Sequence, residues 1–247
     1  MFSEIFHVLQ LPLNTAIMTV LIKTPDHVDR LAQKVQTLCT TKDAGSRILI
    51  GISGIPGSGK STLAASVTAR INQLQHSPNF AVCLPMDGYH LSRAQLAAMP
   101  DPETAIHRRG AAFTFDAEAF HQLVQSLREP LSASSPTVYA PSFDHSLKDP
   151  VADDIPILPT SRVVIFEGLY VSLDREPWNS AAALMDESWF IDVDREIARA
   201  RLVKRHVASG IVADEEAAEH RISSTDFLNA HDIMENRLVV QEIIPGS

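Results

Sequence analysis

The chain has 247 residues, is 45% apolar and carries a formal net charge of −9. It is long enough to bury a sizeable core, and its excess of acid excludes a general nucleic-acid binder, because polyanion affinity comes from many Lys and Arg contacts to phosphate. No Ser/Gly-rich stretch or charge run divides it, so a single domain with local insertions is expected over 18–247, after a dispensable extension over 1–17.

Residues 5–22 are fairly apolar, but Gln10, Pro12 and Asn14 interrupt them and Lys23 ends them, which excludes a membrane span. With Glu4 early and no Arg before Arg30, the segment also makes a poor mitochondrial presequence. Pro25 and Asp26 open a helix through Thr40, with Val28, Leu31, Val35 and Leu38 at helical spacing. Residues 47–53 form a short β-branched strand that breaks into Gly-x-x-x-x-Gly-Lys-Ser at Gly54, Gly59, Lys60 and Ser61, and a helix follows to about Gln73. A second apolar run, Phe80 to Met86, stops at Asp87-Gly88.

Residues 88–115 are mixed and interrupted by Pro100 and Pro102; Asp116 then suits the N-cap of a helix to Leu127. A short strand is expected at Thr137 to Ala140, followed by a Pro- and Asp-rich loop through Pro159. Arg162 to Phe166 and Trp189 to Val193 read as buried strands ending in acid, at Glu167 and at Asp192 and Asp194. A basic helix runs from Asp194 to Ala208, a helical pair fills 213–236, and Leu238 to Ile244 makes a last strand. Strands alternating with helices predict an α/β fold with a doubly wound, mostly parallel sheet flanked by helices. Ligands of such sheets sit at the carboxyl ends of the strands, where the glycine-rich loop, Asp87 and Glu167 fall. Cys39 and Cys83 lie in apolar patterns that suit reduced thiols, which points to a reducing, cytoplasmic setting.

The loop Gly54, Ile55, Pro56, Gly57, Ser58, Gly59, Lys60, Ser61, Thr62 has the composition that cradles phosphates: glycines let backbone N–H groups converge, Lys60 supplies a point charge and the Ser61 hydroxyl a Mg²⁺ ligand. Asp87 emerges beside it and can accept the proton of an attacking hydroxyl or bind Mg²⁺ through water. Glu167 occupies the position of a metal-associated acid; the pair Asp186-Glu187 is discounted, because alanines before it favour helix and the strand follows it. The basic helix carries the i,i+4 pairs Arg195/Arg199 and Arg201/Arg205 beside an apolar stripe of Ile197, Ala200, Val203 and Val207, and is expected to close as a lid near 194–212 over bound phosphates. Tyr89, His90, Arg93, Arg108, Arg109, Asp116, Tyr139, Asp144 and His145 lie between strands, where an acceptor site would be assembled. No His or Cys spacing suits structural zinc. The residues alone leave three readings open: a kinase, a nucleoside triphosphatase that regulates a partner, and a non-catalytic nucleotide-binding scaffold. A GTPase is disfavoured, because the chain has no Asn-Lys-x-Asp motif.

The phosphate loop, Met-Asp-Gly-Tyr-His at 86–90, Thr-Phe-Asp at 114–116, Tyr139 with Phe143-Asp144-His145, Ile-Phe-Glu-Gly at 165–168 and Arg-Leu-Val-Lys-Arg-His at 201–206 come in the order of one group of kinases. From Ile48 onward the chain resembles the uridine kinase, phosphoribulokinase and bacterial pantothenate kinase group, and in particular its sparsely characterised kinase-like members. The resemblance implies ATP and Mg²⁺ as cofactors, Asp87 as base for a small-molecule hydroxyl, Glu167 as metal support and Arg199, Arg201 and Arg205 as lid contacts to ATP. It also implies that Asp116, Tyr139 and His145 help hold the acceptor. Uridine kinases carry Asp-x-Phe-Tyr where this chain has Asp87-Gly88-Tyr89-His90. Arg108 and Arg109 would suit an anionic acceptor, since guanidinium groups bind carboxylate and phosphate bidentately. A small-molecule acceptor is thus the expected partner, with no nucleic acid and no membrane; a homo-oligomer is left open.

Overall fold

A computed structural model describes residues 24–132 and 134–246; the extension expected over 1–17 lies outside the described residues. The elements follow as α1 (Thr24–Thr41), β1 (Ile48–Gly54), α2 (Lys60–Leu74), β2 (Ala81–Pro85), α3 (Arg93–Ala97), α4 (Pro102–His107) and α5 (Ala117–Ser126). Then come β3 (Val138–Asp144), β4 (Asp149–Ile157), β5 (Val163–Gly168), α6 (Trp178–Ala182), β6 (Glu187–Asp192), α7 (Arg195–Ala208), α8 (Glu215–Arg221), α9 (Phe227–Asn236) and β7 (Glu242–Pro245). Five parallel strands form the central sheet in the order β2-β5-β1-β6-β7, and β3 pairs with β4 in a separate antiparallel hairpin.

Period-two alternation along β1 serves both faces of the sheet. Ile48, Ile50 and Ile52 pack with Leu31, Val35, Val67 and Ile71 from α1 and α2. Leu49 joins the other cluster, with Phe120 of α5, Phe166 of β5, Leu202 of α7 and Phe227 of α9. Each fully buried aliphatic side chain here contributes about 2 kcal/mol. With helices on both faces and the order reversing about β1, the free ends of β1, β2 and β5 converge on one crevice.

The structure revises three expectations. The segment after Ala140 is a hairpin strand, β4, where a loop was expected; Pro150 and Pro156 hide it, because proline is tolerated only on strands with an unpaired side, which a two-stranded hairpin supplies. The last strand is shorter and begins at Glu242. The buried stripe of α7 is Ala198, Leu202 and His206, while Ile197 stays 41% exposed and Ala200 is exposed. The helix thus buries a different face from the one its apolar pattern marks, and Asp226, 2.8 Å from His206 Nε2, makes burial of that imidazole tolerable.

Asp186 belongs to the fold. It is 9% exposed at its side chain, accepts a hydrogen bond from the Leu49 backbone N–H at 2.8 Å and pairs with Lys42 and with Arg128, the latter at 3.1 Å. Burial raises its carboxyl's pKa, but the bonds from Lys42, Leu49 and Arg128 outweigh this and hold it below the ordinary value. Asp186→Ala is expected to lower stability by about 3 kcal/mol in urea unfolding, since Arg128 and the Leu49 N–H lose a buried acceptor. A carboxyl depressed in the folded state stabilises above its unfolded pKa of about 3.9 and loses that contribution as pH falls through the folded value, so the gap between wild type and variant should close below about pH 4.

Candidate active site

The phosphate loop springs from the buried β1. Ile55, 6% exposed, anchors it in the core, and Gly57 (φ +79°) and Gly59 (φ +94°) take the left-handed conformations that turn it into α2. The first turns of α3, α4, α5, α7 and α8 are capped by the side chains of Ser92, Asp101, Asp116, Asp194 and Asp214, whereas Gly59 caps α2 without one. The N–H groups at the start of α2 thus face the loop's cavity, a geometry suited to phosphate. That cavity, of about 230 Å³, is lined by Gly57, Gly59, Lys60, Ser61 and Thr62 and, from the basic helix, by Arg201, Leu202 and Arg205. Arg201 Nη1 donates to the Gly57 carbonyl at 3.2 Å. A Cβ at Gly57 would lie 2.7 Å from the Ala198 carbonyl, so glycine is what lets α7 rest on the loop.

Lys60 is half-buried, and burial of its ammonium pushes its pKa down, opposed by the nearby carboxylates of Glu167 and Asp87. Glu167, 6% exposed at the end of β5, has its carboxyl pushed up by burial, with Lys60 opposing and the Ser61 hydroxyl hydrogen-bonded to it. Its Oε2 is buried with no hydrogen-bond partner. An unpartnered buried carboxylate oxygen beside an exposed serine hydroxyl is a donor set that fits Mg²⁺, which takes one or two protein oxygens and completes its shell with water and phosphate.

Asp87 stands on the 3-10 turn Met86–Tyr89 that follows β2, 46% exposed at its side chain, with Oδ1 4.0 Å from His90 Nε2. His90 stacks on Phe115 at 3.9 Å between ring centroids, and burial pushes its pKa down to about 4, so it is neutral at physiological pH. On the far side of this turn a cavity of about 530 Å³ opens, walled by Tyr89, His90, Asp116 and Tyr139 together with Gln95, Gln122 and Asp153. Asp116 also caps α5, accepting from Ala119 N at 2.9 Å.

Gly88 permits the closest contact of the site. A Cβ there would fall 2.1 Å from the Pro141 carbonyl of β3, so the hairpin presses directly on the turn that carries Asp87. Gly88→Ala must displace backbone; a loss of about 2 kcal/mol in stability is expected, and acceptor KM should rise more than nucleotide KM. Steady-state kinetics with each substrate varied in turn would check it, and equal changes in both would show that the hairpin does not shape the acceptor side.

Several expected site residues stand elsewhere. Arg199 pairs with Glu219 at 2.6 Å and lies over the Phe227 ring, fastening α7 to α8 and α9 while Arg201 and Arg205 face the phosphates' cavity. Arg108 donates to Asn229 Oδ1 at 3.1 Å. Arg109 binds the Leu91 carbonyl and Asp149, tying the 91 loop to the hairpin. His145 sits exposed at the hairpin turn against Phe143, and Asp144 caps that turn through Ser146 N and Leu147 N. Conversely, Gln95, Gln122, Asp153 and Asp226 belong to no motif of the sequence, and His206 entered only as the end of the motif at 201–206. Only His206, within the basic run, carried any sequence signal.

A central parallel sheet wrapped by helices, with a glycine loop at the end of its middle strand and arginines of a neighbouring helix facing that loop, defines a P-loop kinase fold. The chain belongs to the phosphoribulokinase / uridine kinase family, whose pattern matches residues 49–216. It is 76% identical over 162 residues to the ATP-dependent kinase-like protein notR' of Aspergillus versicolor, covering 66% of this chain and 94% of that one. A Schizosaccharomyces pombe protein named as a candidate uridine kinase is 40% identical over 198 residues, 80% of this chain and 82% of its own. Among solved structures, YFH7 of Saccharomyces cerevisiae, described as a candidate P-loop kinase with a circular permutation, superposes with a TM-score of 0.80 at 26% identity over 88% of this chain and 98% of that one. Among the described residues no helix is long and apolar enough to cross a membrane.

Proposed function

We propose that this chain is a single-domain, cytoplasmic kinase that uses ATP and Mg²⁺ to phosphorylate a hydroxyl of a small molecule. The observation that carries this reading is the place of Asp87. Its charge acts on Lys60 and Glu167 on the phosphate side, and its turn forms the wall of the larger cavity through Gly88 and Tyr89.

The chain's own groups divide the work. The α2 N-terminus, Lys60, Arg201 and Arg205 bind and orient the nucleotide phosphates and balance the charge that builds on the transferring group. Asp87 takes the proton of the acceptor hydroxyl as its oxygen attacks; neutral His90, at 4.0 Å, leaves that carboxylate free to act as base. Ser61 and Glu167 would hold Mg²⁺ with Asp87 nearby; when bound, the ion neutralises phosphate oxygens. The test is acceptor-dependent ADP release across nucleosides, pantothenate, sugars and sugar phosphates. Hydrolysis indifferent to every acceptor would favour the triphosphatase reading, and ATP binding without turnover the scaffold.

A further inference from the structure

The walls of the larger cavity are chemically one-sided. Asp116 and Asp153 line it with the amides Gln95 and Gln122 and the phenols Tyr89 and Tyr139, and no Lys or Arg side chain lines it among the described residues. The two arginines that sequence reasoning offered to an anionic acceptor are engaged elsewhere, Arg109 with Asp149 at 3.1 Å and Arg108 with Asn229. Neither Asp116 nor Asp153 is in an ion pair among the described residues.

Two further features mark this as a built site. Tyr89, a lining residue of the cavity, is only 5% exposed, and its hydroxyl is buried with no hydrogen-bond partner. A buried phenol without a partner loses about 1–3 kcal/mol of solvation that a ligand's polar atom would restore. The second feature is a break in the hairpin: Ala140 pairs with Ile155 and Ser142 with Val151, so Ala152, Asp153 and Asp154 together oppose Pro141. Asp153 takes a left-handed φ of 55° at this bulge. Such backbone strain in a residue with a side chain persists where the surroundings over-determine it, and bulges re-aim side chains next to active sites. Pro141, opposite the bulge, is the residue whose carbonyl seats on Gly88 beside Asp87.

Resting on the kinase reading, we propose that this cavity takes a hydroxyl compound bearing a protonated amine, the basic nitrogen held by the Asp116 and Asp153 carboxylates and the hydroxyl presented to Asp87. Tyr139, 51% exposed on the same wall, offers an aromatic face to the cation. Acceptors carrying carboxylate or phosphate are rejected by the same two charges.

The test is acceptor-dependent ADP release with matched triples of hydroxyl compounds: serinol, glycerol and glycerate; glucosamine, glucose and glucose 6-phosphate; and amino-, unmodified and 5′-phosphorylated nucleosides. The amine is expected to have the highest kcat/KM in the triple that reacts, and the anion the lowest. Asp153→Asn should lower kcat/KM for the amine about tenfold or more and change the neutral analogue less than about threefold, and adding Asp116→Asn, which preserves the helix cap, should deepen the loss for the amine. Nucleotide KM and melting temperature check that the double variant is folded; should it fail to fold, Asp153→Asn alone carries the comparison. An anionic or neutral acceptor that outperforms its amine, or equal loss for all members of a triple, overturns the assignment while leaving the kinase intact. ADP release that no member of any triple and no other acceptor of the wider screen accelerates overturns the kinase reading itself.

Discussion

Asp87→Asn is expected to lower turnover by about two to four powers of ten while nucleotide affinity stays within about threefold. The asparagine is nearly isosteric, so the Met86–Tyr89 turn and the Gly88 contact with Pro141 survive. What disappears is the base: an amide cannot take the hydroxyl proton, and neutral His90 at 4.0 Å does not replace it, because a pKa near 4 makes its imidazole a weak acceptor of protons at pH 7. Loss of one negative charge leaves the Lys60 ammonium with less support, but it also removes a carboxylate that repels phosphate, so the two contributions to nucleotide affinity oppose each other. Rapid-quench measurement of the first turnover, with ATP affinity by calorimetry, separates the two effects. Wild-type turnover in the variant would remove Asp87 from the chemistry, and a parallel loss of ATP affinity would make it a binding residue.

Lys60→Met is expected to abolish nucleotide binding and catalysis together, lowering kcat/KM by at least about a hundredfold. Burial already disfavours the charged ammonium, and phosphate oxygens would supply the opposite charge that Glu167 and Asp87 provide only in part. Removing a desolvated charge should therefore leave thermal stability unchanged or slightly raised, while the rise in melting temperature that ATP brings to the wild type disappears. That pairing of a sound fold with a lost ligand shift distinguishes a functional lysine from a structural one. A variant that still gains stability from ATP would show that the loop's backbone N–H groups and Arg201 suffice to hold the phosphates.

How much could be read in advance follows the range of each interaction. The phosphate loop, the Asp116 cap and the apolar strands β1, β5 and β6 depend on neighbours within a few residues, and all stand where their spacing placed them. β4 was hidden because its prolines and aspartates match a loop, and only pairing with β3 makes it a strand. The arginines of α7 show the same limit at a finer scale. Successive residues turn by about 100°, so the choice of buried face directs Arg199 to Glu219 and Arg201 and Arg205 to the cavity of the glycine loop. The local pattern does not show that face, because it includes His206, whose partner Asp226 lies twenty residues away.

By itself, then, the amino-acid sequence determined the class of sheet, the nucleotide loop and the acid beside it, because phosphate recognition is built from contiguous backbone and a side chain next to it. The tertiary structure alone decided which charges line the larger cavity. Arg108 and Arg109 are drawn away to Asn229 and Asp149, segments 121 and 40 residues distant, and Asp153 is held on a strained bulge by the pairing of β4 with β3. A cavity wall is assembled from such distant segments, and its sign is the sum of what each contributes after its other partners are satisfied.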